Sequence, residues 1–487
     1  MNVNFKEIYN KIPSYVFRVA NVLNNNGYKA YLVGGAVRDL LISRNPKDYD
    51  IATNALPEEM DKIFDRCITT NARFGTVLVV MESDNLERFD VEVTTFRSEE
   101  DYYAGRWPTK VEFTSDIIKD LSRRDFTINA MALDLNVSSV NKGVTTNVSL
   151  LDPFNGIKDL EENIVRAVGI AFDRFSEDGL RTYKACRLAS ELGFKIEDET
   201  FASIGMTLSV ARQISMERIR DEFVKCVMNS AKPSVGIELM RLSGLLEIFL
   251  PELIHLIGVT QPEYHGDDAY VHSLKVMDLA EDSVKIAALL HDIGKAETKV
   301  LGKDGRTHFY GHDQKGAEMT EQILKRLRFS NHETQRIKLL VKWHMFYYPS
   351  SEWRKENDIN ELANAEVIED GGWTDAAIRR FINKVGEDLI EDLFKLRIAD
   401  ASANVKSTFN AKEIEALQYR IADIKAKDMA LKISDLEING NDLIALGIAP
   451  GREMGEILKY LLDLVIENPL INDKEILLKF AKEKRNK

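Results

Sequence analysis

The chain has 487 residues, 44% of them hydrophobic and 29% charged, the balance of a globular protein of about three domains. Glycine (27) and proline (11) are too sparse for a collagen-like or low-complexity chain. The net charge of -13 argues against a non-specific nucleic-acid coat, which would be basic, but not against an enzyme that meets phosphates through local patches. No apolar run of about 18 residues is free of charge, so no membrane span is expected. Lys6, Glu7 and Lys11 stand where a secretory leader would need its apolar core. Cys67, Cys186 and Cys226 are far apart and odd in number, which suits a reducing, cytoplasmic protein rather than a disulfide framework.

In chain order, residues 29–33 (KAYLV) read as a short strand, followed by Gly34-Gly35 and a helical AVRDLLIS. YDIAT (49–53) reads as a second strand, and LPEEMDKIF (56–64) as a helix with Pro57 at its start. TVLVVM (76–81) and FDVEVTTF (89–96) alternate as strands do. The segment 97–126 holds the cations Arg97, Arg106, Lys110, Lys119, Arg123 and Arg124. Strand and helix mix to about residue 140, and nearly everything from 158 onward has helical spacing. Acidity concentrates in 351–400, with 13 Asp or Glu against 7 Lys or Arg. The expected architecture is an α/β head on a long helical body.

Two glycines between a strand and a helix let the backbone pass close to a ligand and leave helix N–H groups for a phosphate. Asp48 and Asp50, at i and i+2, would share one face of a strand. Two neighbouring carboxylates repel, and a divalent cation offsets this; Mg²⁺ favours one or two carboxylates plus substrate phosphates. A third carboxylate would come from Asp90-Val91-Glu92-Val93. Each motif alone is weak, because a DxD is more often a surface turn. Strand, GG, helix and then DxD is far more specific.

In that arrangement the sequence resembles the nucleotidyltransferase head of the DNA polymerase β superfamily, and more closely the class II CCA-adding enzymes and bacterial poly(A) polymerases. The resemblance implies an α+β fold, a polymerase β-like head with a mixed sheet and an all-helical body. Val91-Glu92-Val93-Thr94-Thr95-Phe96-Arg97 matches the strand bearing the third carboxylate, with Glu92 the matching residue and Asp90 on the same face. Arg123-Arg124-Asp125-Phe126-Thr127-Ile128-Asn129-Ala130 matches the ribose-discriminating segment, and Asp152-Pro153-Phe154-Asn155-Gly156 a nucleotide-positioning loop. Glu177-Asp178-Gly179-Leu180-Arg181 matches the EDxxR base-reading motif.

The EDxxR residues have a physical logic of their own. Asp178 and Arg181 lie about one helical turn apart. An aspartate accepts from an exocyclic amino group, and an arginine fork donates to ring nitrogens and carbonyls. The plainer alternative is a helix salt bridge. The family continues this motif with arginines, whereas here Lys184 precedes Arg187, a change in bidentate capacity. By resemblance, Gly34, Gly35, Arg38, Asp39, Arg97, Arg123, Arg124, Asp125, Asn129, Asp152, Asp178, Arg181 and Arg187 bind the nucleotide. Asp48, Asp50 and Glu92 are catalytic, with Mg²⁺ on Asp48 and Asp50. Glu217–Glu222 resembles a bracing helix to which no catalytic role is carried.

Six of the eight histidines lie within 272–344. The order His272, His291-Asp292, His312, His344, Asp400 resembles the HD phosphohydrolase superfamily, whose domains hold one or two divalent metals and hydrolyse phosphate esters. His272, His291, Asp292 and Asp400 would form one site, and His312 and His344 complete a second. The alternative is a structural relic with packed histidines. His255, His265, His308 and His332 fall outside the pattern. Asp435–Leu443 and Gly447–Gly451 resemble the C-terminal segment of bacterial CCA-adding enzymes, followed by an apolar stripe (Ile457, Leu458, Leu461, Leu462, Val465) that reads as core.

The expected domains are a head at 1–157, a base-reading and bracing neck at 158–250, an HD region at 251–410 and a tRNA-binding tail at 411–487. The implied activity is template-independent addition of CCA to tRNA 3′ ends from CTP and ATP. Poly(A) synthesis, CC-only or A-only addition, and a phosphohydrolase with a non-polymerising RNA-binding head are the alternatives.

Overall fold

The computed structural model describes residues 5–82, 88–103, 107–136, 149–260, 267–303, 306–346, 348, 373–404, 411–427 and 432–485. Arg106 and His265 lie outside these residues. The chain divides into two compact units: residues 1–254 with 326–328, and residues 255–325 with 329–487. Head and neck residues thus share the first unit, and the histidine-rich and C-terminal regions share the second.

The first unit is built on a seven-stranded mixed sheet. Its strands are β1 (Ala30–Val33), β2 (Asp50–Thr53), β3 (Cys67–Ile68), β4 (Thr76–Glu82), β5 (Arg88–Thr95), β8 (Ala132–Asp134) and β9 (Leu150–Leu151), in the order β3-β4-β5-β2-β1-β8-β9. The β2–β5 pair is parallel and the others are antiparallel. Apolar residues of the central strands, Leu32, Ile51, Val77, Val79 and Val93, are sealed in the core, as alternation on a half-covered sheet requires. A separate hairpin, β6 (Arg97–Tyr103) and β7 (Trp107–Phe113), follows β5.

Beyond the sheet the unit is helical. The helix Leu180–Leu192 packs against Met216–Asn229 and Pro233–Leu242. Behind the sheet, the short helix Gly156–Glu161 starts where Asp152 accepts from the Gly156 and Ile157 N–H groups (2.6 and 2.9 Å). Gly156 is required by proximity: a Cβ there would collide with the Thr127 carbonyl oxygen and meet the Met131 sulfur at 3.0 Å.

The second unit is helical apart from a two-residue hairpin at Val300–Leu301 and Thr307–His308, among the described residues. The helix Ala269–Leu279 packs on Lys285–Leu290 and on Ile390–Ala403, and Lys285–Leu290 also packs on Asn331–Trp343. At the C-terminal end Ile457, Leu461, Leu462 and Val465 of the helix Arg452–Glu467 are buried with Leu477 and Ala481, and Leu458 is packed against them. The apolar stripe is core. No helix among the described residues is long and apolar enough to cross a membrane.

Gly156→Ala should cost about 1–3 kcal/mol through overpacking against the Thr127 carbonyl. Urea denaturation would show this as a lower midpoint with an unchanged slope.

Candidate functional site

Strand geometry places the catalytic candidates. The last β1–β2 pair is Val33 with Asp50, because β1 ends at Gly34, whose φ of +74° only glycine adopts without strain. A Cβ on Gly34 would also stand 3.2 Å from an Arg124 nitrogen and 3.8 Å from Asp50 Oδ2. The parallel register pairs Ile51 with Val93, so Asp50 and Glu92 fall on neighbouring strand positions one step earlier. Both line a cavity of about 540 Å³.

Asp48 differs from expectation. It precedes β2 instead of lying on it, because the ladder stops at Asp50. The i, i+2 argument for a shared strand face therefore does not apply. Asp48 is absent from the cavity lining, though its charge acts on Asp50. Asp90 takes no part in the cavity: it is bonded to Arg88 at 3.0 Å.

Asp50 is open to solvent at the cavity mouth, yet protein crowds around it. That desolvation, with Glu92 and Asp48 adding repulsion against the pull of Arg124, raises its carboxyl to about 6. Cation binding would reverse this shift.

The rest of the lining is rich in cations. Arg97, Arg123, Arg124, Arg181, Lys184 and Arg218 line the cavity with the carboxylates Asp50, Glu92, Asp125 and Asp178. Sequence reasoning missed the residue that orders three of these arginines. Asp120 is 1% exposed. It accepts from Arg123 (2.8 and 3.0 Å), from Arg124 (3.2 Å) and from the Arg97 backbone N–H (3.3 Å). Burial would raise its carboxyl, but Arg123 and Arg124 hold it below the ordinary value. The i, i+3 and i, i+4 spacing from Asp120 to the two arginines was the readable signal.

Base-reading candidates meet on the same cavity. Arg181 is buried and held by the Arg174 carbonyl (3.0 Å), Glu177 (2.6 Å) and the Arg123 carbonyl (3.1 Å). Asp178 accepts from the Leu180 N–H at 3.0 Å and lies 3.5 Å from Arg218. Arg218 comes from the bracing segment, where the sequence assigned it nothing. Lys184, the departure from the family pattern, lies 3.5 Å from Asp125. Burial would raise the Asp125 carboxyl, but Lys184, Arg181 and the Asn129 hydrogen bond outweigh it and bring it to about 2.

Five other candidates act as braces rather than as cavity lining, and Gly34 and Gly35 also lie outside the lining. Arg38, buried, bonds Asp39 (2.9 Å) and Asn129 (2.8 Å), and Asn129 in turn bonds Asp125 (3.3 Å). Asp152 spends both carboxylate oxygens on backbone N–H groups, and so is a helix cap. Arg187 is locked between Glu222 (2.7 Å) and Glu191 (2.6 Å). These two are corrected from nucleotide contacts to supports, because their polar groups are already engaged.

In the second unit the histidines converge. Two sets of ligand atoms lie close enough to hold a metal: His272, His291 and Asp292, and Asp292, His312 and His344. Asp292 is common to both. Its oxygens lie 3.2 Å from His291, 3.5 Å from His312, 3.8 Å from His344 and 3.9 Å from His272. Asp400 is 3.0 Å from His272 Nε2.

Three of the rings are oriented by their own backbone. Nδ1 of His291, His312 and His344 meets the carbonyl three residues earlier, at 2.6–2.8 Å. That leaves Nε2 as the ligand atom. Nε2 of His312 and of His344 is buried without a hydrogen-bond partner among the described residues. Burial and the neighbouring His291 push the His344 imidazole down to about 3, so it stays neutral. Burial would raise Asp292, yet His291 and Lys295 hold it well below the ordinary range. The neutral His344 imidazole beside the ionised Asp292 carboxylate fits a divalent metal.

A mixed sheet carrying carboxylates opposite a guanidinium-rich wall, around space for a nucleoside triphosphate, defines a nucleotidyltransferase. The family described as "Poly A polymerase head domain" matches residues 30–166. "Probable RNA and SrmB- binding site of polymerase A" matches 193–256, and tRNA nucleotidyltransferase domain 2 matches 312–481. The CCA-adding enzyme of Enterococcus faecalis is 31% identical over 475 residues, covering 96% of this chain and 95% of that protein. That of Streptococcus sanguinis is 32% identical over 465 residues, 94% of each chain. The chain belongs to the CCA-adding enzyme family. The crystal structure of the Bacillus stearothermophilus CCA-adding enzyme in complex with CTP shares the fold, with a TM-score of 0.65 at 24% identity over 100% of this chain and 98% of that one.

Asp120→Ala should release the Arg123 and Arg124 side chains and the Arg97 backbone at once. It should cost up to about 3 kcal/mol, the low end for a broken buried pair because Arg123 and Arg124 reach solvent, and raise the nucleotide KM. Thermal unfolding and steady-state kinetics would check both. Incorporation at limiting Mg²⁺ should fall as pH drops through about 6, where the Asp50 carboxyl takes up its proton. Raising Mg²⁺ should move that fall to lower pH.

Proposed function

We propose that this chain adds CCA to tRNA 3′ ends from CTP and ATP, releasing pyrophosphate. The observation that carries this is the single cavity in which Asp50 and Glu92 face Arg97, Arg123 and Arg124, with Asp178 and Arg181 on the same lining. Carboxylates and guanidinium groups there can handle the triphosphate, and the Asp–Arg pair can read a base edge without a template.

Asp50 and Glu92, with Asp48 nearby, would hold Mg²⁺, which when bound makes the tRNA 3′-hydroxyl more acidic and neutralises the leaving group. The chain's own residues do the positioning. Arg97, Arg123 and Arg124 offset phosphate charge, and Asp120 holds the Arg123 and Arg124 side chains and the Arg97 backbone. The 3′-oxygen bonds to the α-phosphorus as the bond from α-phosphorus to the pyrophosphate oxygen breaks. Pyrophosphate leaves with the electron pair. Such transfer depends on alignment and charge stabilisation more than on a reactive side chain. Asp178 accepts from the amino group that C and A share, and Arg181 donates. A wrong base leaves these groups unpaired.

Labelled CTP and ATP, offered to tRNAs ending before CCA, after CC and after CCA, test this reading. Addition of C, C and A followed by arrest is expected. A ladder of A would mean poly(A) synthesis, and CC-only or A-only addition a split pathway. Asp50→Asn should lower incorporation by at least about 10²-fold, the scale of losing one preorganised electrostatic group. Asp178→Ala should lower the preference for CTP and ATP over UTP and GTP.

A second activity is favoured by the two buried triads that share Asp292. The second unit would hold one or two divalent metals and hydrolyse a phosphate ester. Imidazole with carboxylate suits Zn, Fe, Ni or Mn. Removing a 3′-phosphate or opening a 2′,3′-cyclic phosphate would restore the hydroxyl that the head extends. His291→Ala should abolish such phosphate release while CCA incorporation continues.

A further inference from the structure

Beside the second triad lies a cavity of about 290 Å³ that neither activity has used. It is lined from the start of the helix His312–Arg326, the end of the helix Asn331–Trp343 and the helix Asp375–Val385. Asp313 follows the ligand His312, and Trp343 and Met345 flank the ligand His344. The cavity wall and the second triad are thus built from neighbouring residues of the same two chain segments.

Its walls are aromatic. Phe346 and Phe381 approach at 5.4 Å between ring centroids, and Trp373 meets Phe381 edge-on at 5.1 Å. Trp343 adds a further face, with the Lys342 ammonium 5.2 Å above it. Lys342, Lys384 and Asp313 have no oppositely charged partner within 4.0 Å among the described residues, and Trp343 Nε1 is buried without an acceptor among them. The third cation, Arg380, is paired with Glu467. Flat apolar faces with ammonium groups at the edge match a base and its phosphate. A carboxylate and an indole N–H are complementary to a base's amino and carbonyl groups. The volume holds one nucleotide and excludes a duplex.

We propose that this cavity binds the terminal nucleotide of an RNA strand and presents its 3′-phosphate or 2′,3′-cyclic phosphate to the His312–His344–Asp292 triad. The second unit is thereby selective for nucleotide ends over simple phosphate esters. Its role as a substrate site rests on the hydrolytic reading of the metal cluster, whereas binding does not.

The full chain, loaded with Mn²⁺ or Ni²⁺, is assayed on adenosine 2′,3′-cyclic phosphate and on bis(p-nitrophenyl) phosphate. Lys342→Glu/Lys384→Glu should lower the preference for the nucleotide by about tenfold or more, the equivalent of one lost charge-assisted contact, and do so through KM. Trp343→Leu should shift the same ratio in the same direction. An unchanged ratio in both variants would overturn the proposal. Calorimetric titration with adenosine 3′-monophosphate separates the two readings. If the wild type hydrolyses neither ester but binds the nucleotide, and the lysine variant loses that binding, the site stands and the hydrolytic reading falls. No difference in binding between wild type and the lysine variant would sink the site itself.

Discussion

One buried carboxylate organises the polymerising site. Asp120 receives two side chains and a backbone N–H from Arg123, Arg124 and Arg97, and these residues face the cavity across from Asp50 and Glu92. Without it, several like charges would converge on one wall with no fixed counter-ion, and their repulsion would open the well. With it, the guanidinium groups are oriented before any phosphate arrives. That is electrostatic preorganisation, the part of catalysis a protein can supply when the reacting groups belong to its substrates. The same economy recurs one layer out, where Arg38, Asn129 and Asp125 form a chain of bonds that joins the glycine turn to Lys184.

The sequence was legible where period and composition agreed. Val91 and Val93 alternate with exposed polar neighbours, so β5 could be read directly. The hairpin at 97–113 was not, because RSEEDYY and WPTKVEF are charged and carry Pro108, and looked like a solvated face. Two-residue strands such as Cys67–Ile68 are too short to show a period. Asp48 was misplaced because the motif spacing does not say where a ladder stops; the positive φ at Gly34 decides that. For Asp152 and Arg187 the chemical type was right and the partner was not. Carboxylate and guanidinium groups serve ligands and helix ends equally well, and only the folded chain shows which they have met.

In the second unit His272, His291, Asp292, His312 and His344 converge in the two triads, while Asp400 stands outside both, bonded to His272. His291, His344 and Asp292 are each 1% exposed. One aspartate serves both triads, so whatever occupies one site changes the charge seen by the other. Lys295, 2.6 Å from Asp292, already supplies one positive charge, which limits how much more the cluster can accept.

The parallel pairing of β2 with β5 has a consequence for how the chain matures. Asp50 and Glu92 are separated by roughly forty residues of intervening chain, and such a contact forms only after its loop-closure entropy has been met. A half-folded head therefore carries Asp50 and Glu92 far apart and lacks the complete set of carboxylates. The full cation site is therefore acquired in the same step as the parallel pairing that completes the centre of the sheet.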